Sequence, residues 1–142
     1  MRVTNKKVVY PAAFNSDLIR EHPKYEDDLK DLIEKSGLKD KFWGLYKQRL
    51  TFLDEHSELC SQRTAWFEQL SYVDEDLWSM KIKLQKNIRI LFAFVEHRQT
   101  QYAALLYPFQ EKERKKQSDS YRAAIPIALE RLEEIREGLN ND

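Results

Sequence analysis

One cysteine, no net charge and no apolar run long enough for a bilayer set the outer limits of what this chain of 142 residues can be. The single Cys60 has no partner for an internal disulfide and no cysteine spacing for a metal site, which fits a reducing compartment. There is no membrane span and no amino-terminal pattern of basic residues followed by an apolar stretch, so a cytoplasmic protein with no membrane partner is expected. The 24 Lys and Arg balance 24 Asp and Glu, which argues against indiscriminate binding to nucleic acid. Internal repeats, low-complexity segments and linkers are also missing. Residues 1–142 therefore read as a single domain, long enough to bury a sizeable core.

What is present is unevenly placed. From Leu77 to Arg122 there are ten Lys or Arg against four Asp or Glu, and the rest of the chain carries the compensating negative charge. A local phosphate-binding face has this appearance, and so does a solvated strand-and-loop surface.

Within that region, Leu77 to Val95 (LWSMKIKLQKNIRILFAFV) alternates apolar with basic or small residues. In an extended strand Trp78, Met80, Ile82 and Leu84 share one face, and Ser79, Lys81 and Lys83 the other. Ile88, Ile90, Phe92 and Phe94 form a second apolar row, with Arg89, Leu91, Ala93 and Val95 opposite it. Keeping both apolar rows on one side predicts a hairpin that pairs Leu84 with Ile88 around Gln85, Lys86 and Asn87, and sets Lys83 opposite Arg89. Facing like charges are unfavourable by roughly 0.2 to 1 kcal/mol, which an anion would relieve.

The remaining elements follow from similar patterns. Lys6 to Phe14 predicts a short edge strand around Val8 to Tyr10, ended by Pro11. Asn15 to His22 is polar, with cap residues that suit a single helical turn. A helix from Pro23 carries Tyr25, Leu29, Leu32 and Ile33 on one face and ends at Gly37. A second runs from Leu38 to Cys60 with Phe42, Leu45, Tyr46, Arg49 and Leu53 in its stripe, continued by His56 and Cys60. His56 and Cys60 are four apart, a spacing metal sites use, but without a second pair they read as a core-edge His and a buried Cys, so no metal is expected. Ser61 to Asp76 reads as irregular, with Trp66, Phe67 and Leu70 packing over the helix–sheet junction; Trp43 and Trp78 are likewise assigned to packing. After a polar turn at Glu96 to Thr100, Tyr102 to Phe109 predicts a third strand, apolar enough to be central. Gln110 to Ser120 reads as a charged loop. The last helix is expected to start near Arg122 to Ile125, which keeps Pro126 in its first turn, and carries Ile125, Leu129, Leu132, Ile135 and Leu139 in one stripe.

Strand, two helices, three-stranded meander, basic loop and final helix make a small α+β domain with an antiparallel sheet, a helical hairpin and a C-terminal helix. The segment MKIKLQKNIRILFAFV resembles the central hairpin of RelE-type toxins of the RelE/ParE superfamily, where a Lys-x-Lys strand precedes an Arg-containing strand. LLYPFQEKERKK followed by ALERLEEI resembles the ending of that superfamily's phage-derived branch. The resemblance spans roughly Trp66 to Ile135.

The resemblance implies the toxin of a type II toxin–antitoxin system: a ribosome-dependent, metal-independent mRNA endoribonuclease without cofactors, held in check by a cognate antitoxin. In that reaction a nucleotide's 2′-hydroxyl attacks the adjacent phosphate. The protein supplies a base, an acid and positive charge for the phosphorane. By position, Lys83 and Arg89 would stabilise the phosphate, Lys81 would act as base or electrostatic partner, Tyr121 as base or stacking group, and Lys112 as acid. Lys86, Arg98, Arg114, Lys115 and Lys116 would contact RNA. The competing readings are an ordinary basic sheet face for the strand residues and helix packing for Tyr121. His97 reads as a turn residue beside the basic face, from which it could take part in proton transfer. Two further functions suit the same fold: a ParE-like gyrase-inhibiting toxin, and a non-catalytic phage or host binding module. Alanine at Lys81, Lys83 and Arg89 together is expected to abolish toxicity and leave the fold intact.

Overall fold

A computed structural model describes residues 16–71, 74–112 and 117–140. The strand expected around Val8 to Tyr10 and the loop residues Arg114, Lys115 and Lys116 lie outside them. The described chain runs β1 (Ile19–Glu21), α1 (Tyr25–Ser36), α2 (Lys39–His56), a 3-10 helix (Ser57–Gln62), β2 (Phe67–Gln69), β3 (Trp78–Lys83), β4 (Asn87–His97), β5 (Thr100–Glu111) and α3 (Gln117–Asn140). The five strands form one mixed sheet in the order β1-β5-β4-β3-β2, with β1 parallel to β5 and every other pair antiparallel.

The parallel edge corrects the expectation of a wholly antiparallel sheet, and β1 replaces the helical turn expected before His22. Ile19 and Glu21 point inward and are buried, while the backbone completes the outer edge of β5 through Ala103 N–H to Leu18 O and His22 N–H to Leu105 O, both 2.9 Å. β5 is thus flanked on both sides, as its apolar sequence predicted.

Helices cover both faces of the sheet. α1 and α2 pack on the face bearing Ile19, Phe67, Trp78, Met80, Ile82, Ile88, Ile90 and Phe92. α3 covers Leu91, Ala93, Val95, Ala104 and Leu106 with Tyr121, Ala124, Ala128, Leu132 and Ile135. Acidic residues in the first turn of α1 and a left-handed Gly37 (φ 74°) at its end match the expected start and stop signals. α2 stops at His56, four residues before the expected end, because Ser57 turns to φ 49° and opens the 3-10 helix. β2 falls where irregular chain was expected, and it buries Phe67.

The hairpin register also differs from expectation. Lys81 lies opposite Arg89, Ile82 opposite Ile88 and Lys83 opposite Asn87, which leaves Leu84, Gln85 and Lys86 as the turn. Both registers put the same rows on the same faces, so the apolar pattern cannot choose between them. β4 and β5 join through Arg98 and Gln99, both at positive φ, in the manner of a tight two-residue hairpin turn. α3 begins at Gln117, earlier than expected, and holds Pro126 in its interior with the ring exposed.

Candidate functional site

Side chains alternate along β3 and β4, so Ser79, Lys81 and Arg89 all project to the α3 face of the sheet near the hairpin turn. β2 and β5 flank the pair and add one carboxylate each. Glu68 on β2 lies opposite Ser79, and its Oε1 is 3.1 Å from Lys81 Nζ. Glu111, at the end of β5, places Oε2 3.5 Å from Arg89 Nε. Two cations and two carboxylates therefore alternate within one patch, and the charge opposition between Lys81 and Arg89 is relieved inside the protein.

The two ion pairs differ in access. The Lys81 and Glu68 side chains are 19% and 37% exposed, whereas Arg89 and Glu111 are 5% and 15% exposed. Neither Arg89 Nε nor Glu111 Oε2 has a hydrogen-bond partner among the described residues, so charge alone holds the inner pair.

Tyr121 completes the patch from α3. Its hydroxyl lies 2.9 Å from Ser79 Oγ, and its ring packs edge-on against Phe109 at 5.1 Å. The residue is fully buried, and burial pushes its phenol up to about 12 despite the Ser79 hydrogen bond and the positive charge of Arg89. A neutral, covered phenol agrees with the role of packing the final helix onto the sheet.

The other expected site residues take no part in these two ion pairs. Lys83 is exposed at the end of the hairpin, and Lys86 donates to Ser36 O at 2.9 Å, where a cation suits the C-terminal end of α1. Lys112 is exposed beyond β5, with its backbone N–H 3.2 Å from Ser120 Oγ, and lines a cavity of about 280 Å³ with Phe109 and Ala124. Arg98 and His97 are at the opposite end of β4, about 25 Å from Arg89 at the ordinary strand rise. His97 is therefore not beside the basic face.

His56 and Cys60 sit in different surroundings. The His56 ring is partly exposed and stacks on Phe52, while Cys60 is buried in the 3-10 helix with its thiol pushed up to about 12 by burial. Among the described residues, no group of three or more His, Cys, Asp or Glu is placed to hold a metal ion.

Chemically, the outer pair offers a carboxylate that can accept a proton next to an ammonium that can hold an anion, with a buried guanidinium behind them. Glu68, Glu111 and Ser79 were not among the expected site residues. Glu111 stands two residues beyond Phe109 on the same strand face, a signal that extending the third strand to Glu111 would have exposed. Glu68 carries no such signal, because β2 has only three residues. Comparison of the chain with protein-family models, with curated proteins and with solved structures finds no match in any of the three.

Proposed function

We propose that the chain is a RelE-type toxin that cuts messenger RNA on the ribosome, a metal-independent endoribonuclease with the partly exposed Glu68 as general base and Lys81 as the phosphate-binding cation beside it. In this reading the Glu68 carboxylate takes the 2′-hydroxyl proton as the 2′-oxygen bonds to phosphorus. The bond to the 5′-oxygen breaks, and that oxygen receives its proton from Lys112. Lys81 holds the phosphoryl oxygens, and Arg89 adds positive charge from behind. Lys83, Lys86 and Arg98 remain candidate RNA contacts, and the cognate antitoxin would cover the same face.

The observation that supports this reading is convergence. Lys81 and Arg89 of one hairpin and Tyr121 of the final helix, singled out from two separate stretches of sequence, meet on one face beside a partly exposed carboxylate. The order of strand, helical hairpin, meander and closing helix agrees with it. One observation favours a second reading, a non-catalytic binding module: Arg89 and Tyr121 are buried and partnered, as members of a structural network would be.

Induction in a bacterial host, with primer extension on total RNA, tests the choice. Translation-coupled cuts that disappear in Glu68→Gln and Lys81→Met, with circular dichroism unchanged, are expected. Unimpaired growth without cuts would favour the binding module, and DNA damage without cuts a gyrase-directed toxin.

A further inference from the structure

A second cationic feature lies where β2 begins, outside the ion-paired patch. The half-buried indole of Trp66 has the Arg63 guanidinium carbon 3.5 Å from its ring centroid and that of Arg49 at 4.1 Å. Neither guanidinium has a carboxylate within 4.0 Å among the described residues, so two like charges share one aromatic ring without an acidic partner. Arg49 is buried and committed: Nε donates to Lys81 O at 3.0 Å and Nη1 to Gln48 Oε1 at 2.8 Å. Arg63 is exposed.

Beside them opens a groove of about 450 Å³ along α2, lined by Phe52 and Trp66 together with Lys47, Thr51 and Glu55. Gly44 leaves it open, since a Cβ there would meet nothing. An exposed guanidinium over an indole, with a second guanidinium on the same ring and no carboxylate on either among the described residues, makes a combination that accepts an unpaired base by stacking and a phosphate by charge.

We propose that Arg63, stacked on Trp66, is a base-stacking platform for single-stranded RNA, and that the adjoining groove carries the strand. The identity of the ligand rests on the ribonuclease reading above. The platform adjoins that site at the sheet edge: the Lys81 amide donates to Trp66 O at 2.7 Å, and the Lys81 carbonyl accepts from Arg49. The platform lies on the α2 side and the Lys81 side chain on the α3 side, so a strand reaches both by passing around the β2 edge. An acidic peptide would satisfy the charges but would gain nothing from the planar surfaces.

The test is fluorescence anisotropy of a labelled ten-nucleotide oligouridylate with the purified full chain at low salt. Arg63→Ala and Trp66→Leu should each weaken binding by about 5-fold or more, the range of a lost base stack. Arg63→Lys, which keeps the charge and removes the plane, should recover only part of the loss. An abasic oligomer of equal length should bind at least about 5-fold more weakly. Wild-type affinity in Arg63→Ala, an exposed position, would overturn the proposal, as would polyglutamate or the abasic oligomer competing as well as oligouridylate. Cutting is read separately by primer extension. Binding without cuts removes the ribonuclease reading and leaves the platform; cuts with binding insensitive to Arg63 remove the platform alone.

Discussion

Replacing Arg89 by methionine should destabilise the domain by about 3 kcal/mol, and replacing Glu111 by leucine in the same chain should restore most of it. The Arg89 side chain is 5% exposed and that of Glu111 15%, so removing the guanidinium strands a largely covered carboxylate. Breaking a buried pair from one side costs about 3 to 5 kcal/mol, whereas exchanging both members for apolar groups is often neutral or stabilising. The 3.5 Å separation and the absence of a hydrogen bond between the pair place the single variant at the low end. Urea unfolding at pH 7, followed by tryptophan fluorescence, measures both variants. A single variant as stable as wild type, or a double variant as unstable as the single, would refute the picture of a buried pair. The same reasoning corrects the expectation that joint alanine substitution of Lys81, Lys83 and Arg89 leaves the fold intact: Arg89 belongs to the packed interior, and only the two lysines are accessible.

Two further outcomes rest on the rest of the fold. His22 is fully buried, with Nδ1 accepting from Lys24 N–H at 3.1 Å and Nε2 donating to Glu134 at 3.0 Å, and burial lowers its proton affinity below the ordinary 6.5. The unfolded chain therefore takes up a proton first, and stability should fall as pH drops below 6.5, by at most about 1.4 kcal/mol per unit. Urea midpoints between pH 7 and 5.5 should fall more steeply for wild type than for His22→Gln. Pro126 is exposed inside α3, where it removes an amide hydrogen bond. Pro126→Ala should raise the melting temperature by several degrees, from a gain of about 1 to 3 kcal/mol, and an unchanged melting point would mean that the helix is built around the proline.

Elements were legible in the sequence where a pattern repeats often enough to be counted. Four apolar positions mark α1, two alternating rows mark β3 and β4, and the stripe from Ile125 to Leu139 marks α3. β1 and β2 have three residues each, too few for alternation to separate from chance, and both are defined by the strand they join. The hairpin register was hidden for another reason: moving the pairing from Leu84–Ile88 to Ile82–Ile88 leaves every side chain on its original face. Pro126 misplaced the start of α3 because a proline usually belongs to the first turn, and this helix carries it on a solvent face instead.

The candidate site was half legible for the same reason. Lys81, Lys83 and Arg89 could be brought onto one face from one hairpin, and the repulsion expected between Lys83 and Arg89 called for an anion; the observed register sets Lys81 there instead. The anions come from strands outside that hairpin, and only the sheet order reveals Glu68 and Glu111 as the neighbours. Neutralisation of the patch bears directly on the proposed reaction. While Glu68 is ionised it holds Lys81, and a substrate phosphate must share that ammonium with it. When the carboxylate takes the 2′-hydroxyl proton it loses its charge, and negative charge grows on the phosphorane at the same moment. Lys81 then turns from one anion to the other, so its interaction is stronger in the transition state than in the ground state, which is the condition for an electrostatic group to accelerate the step.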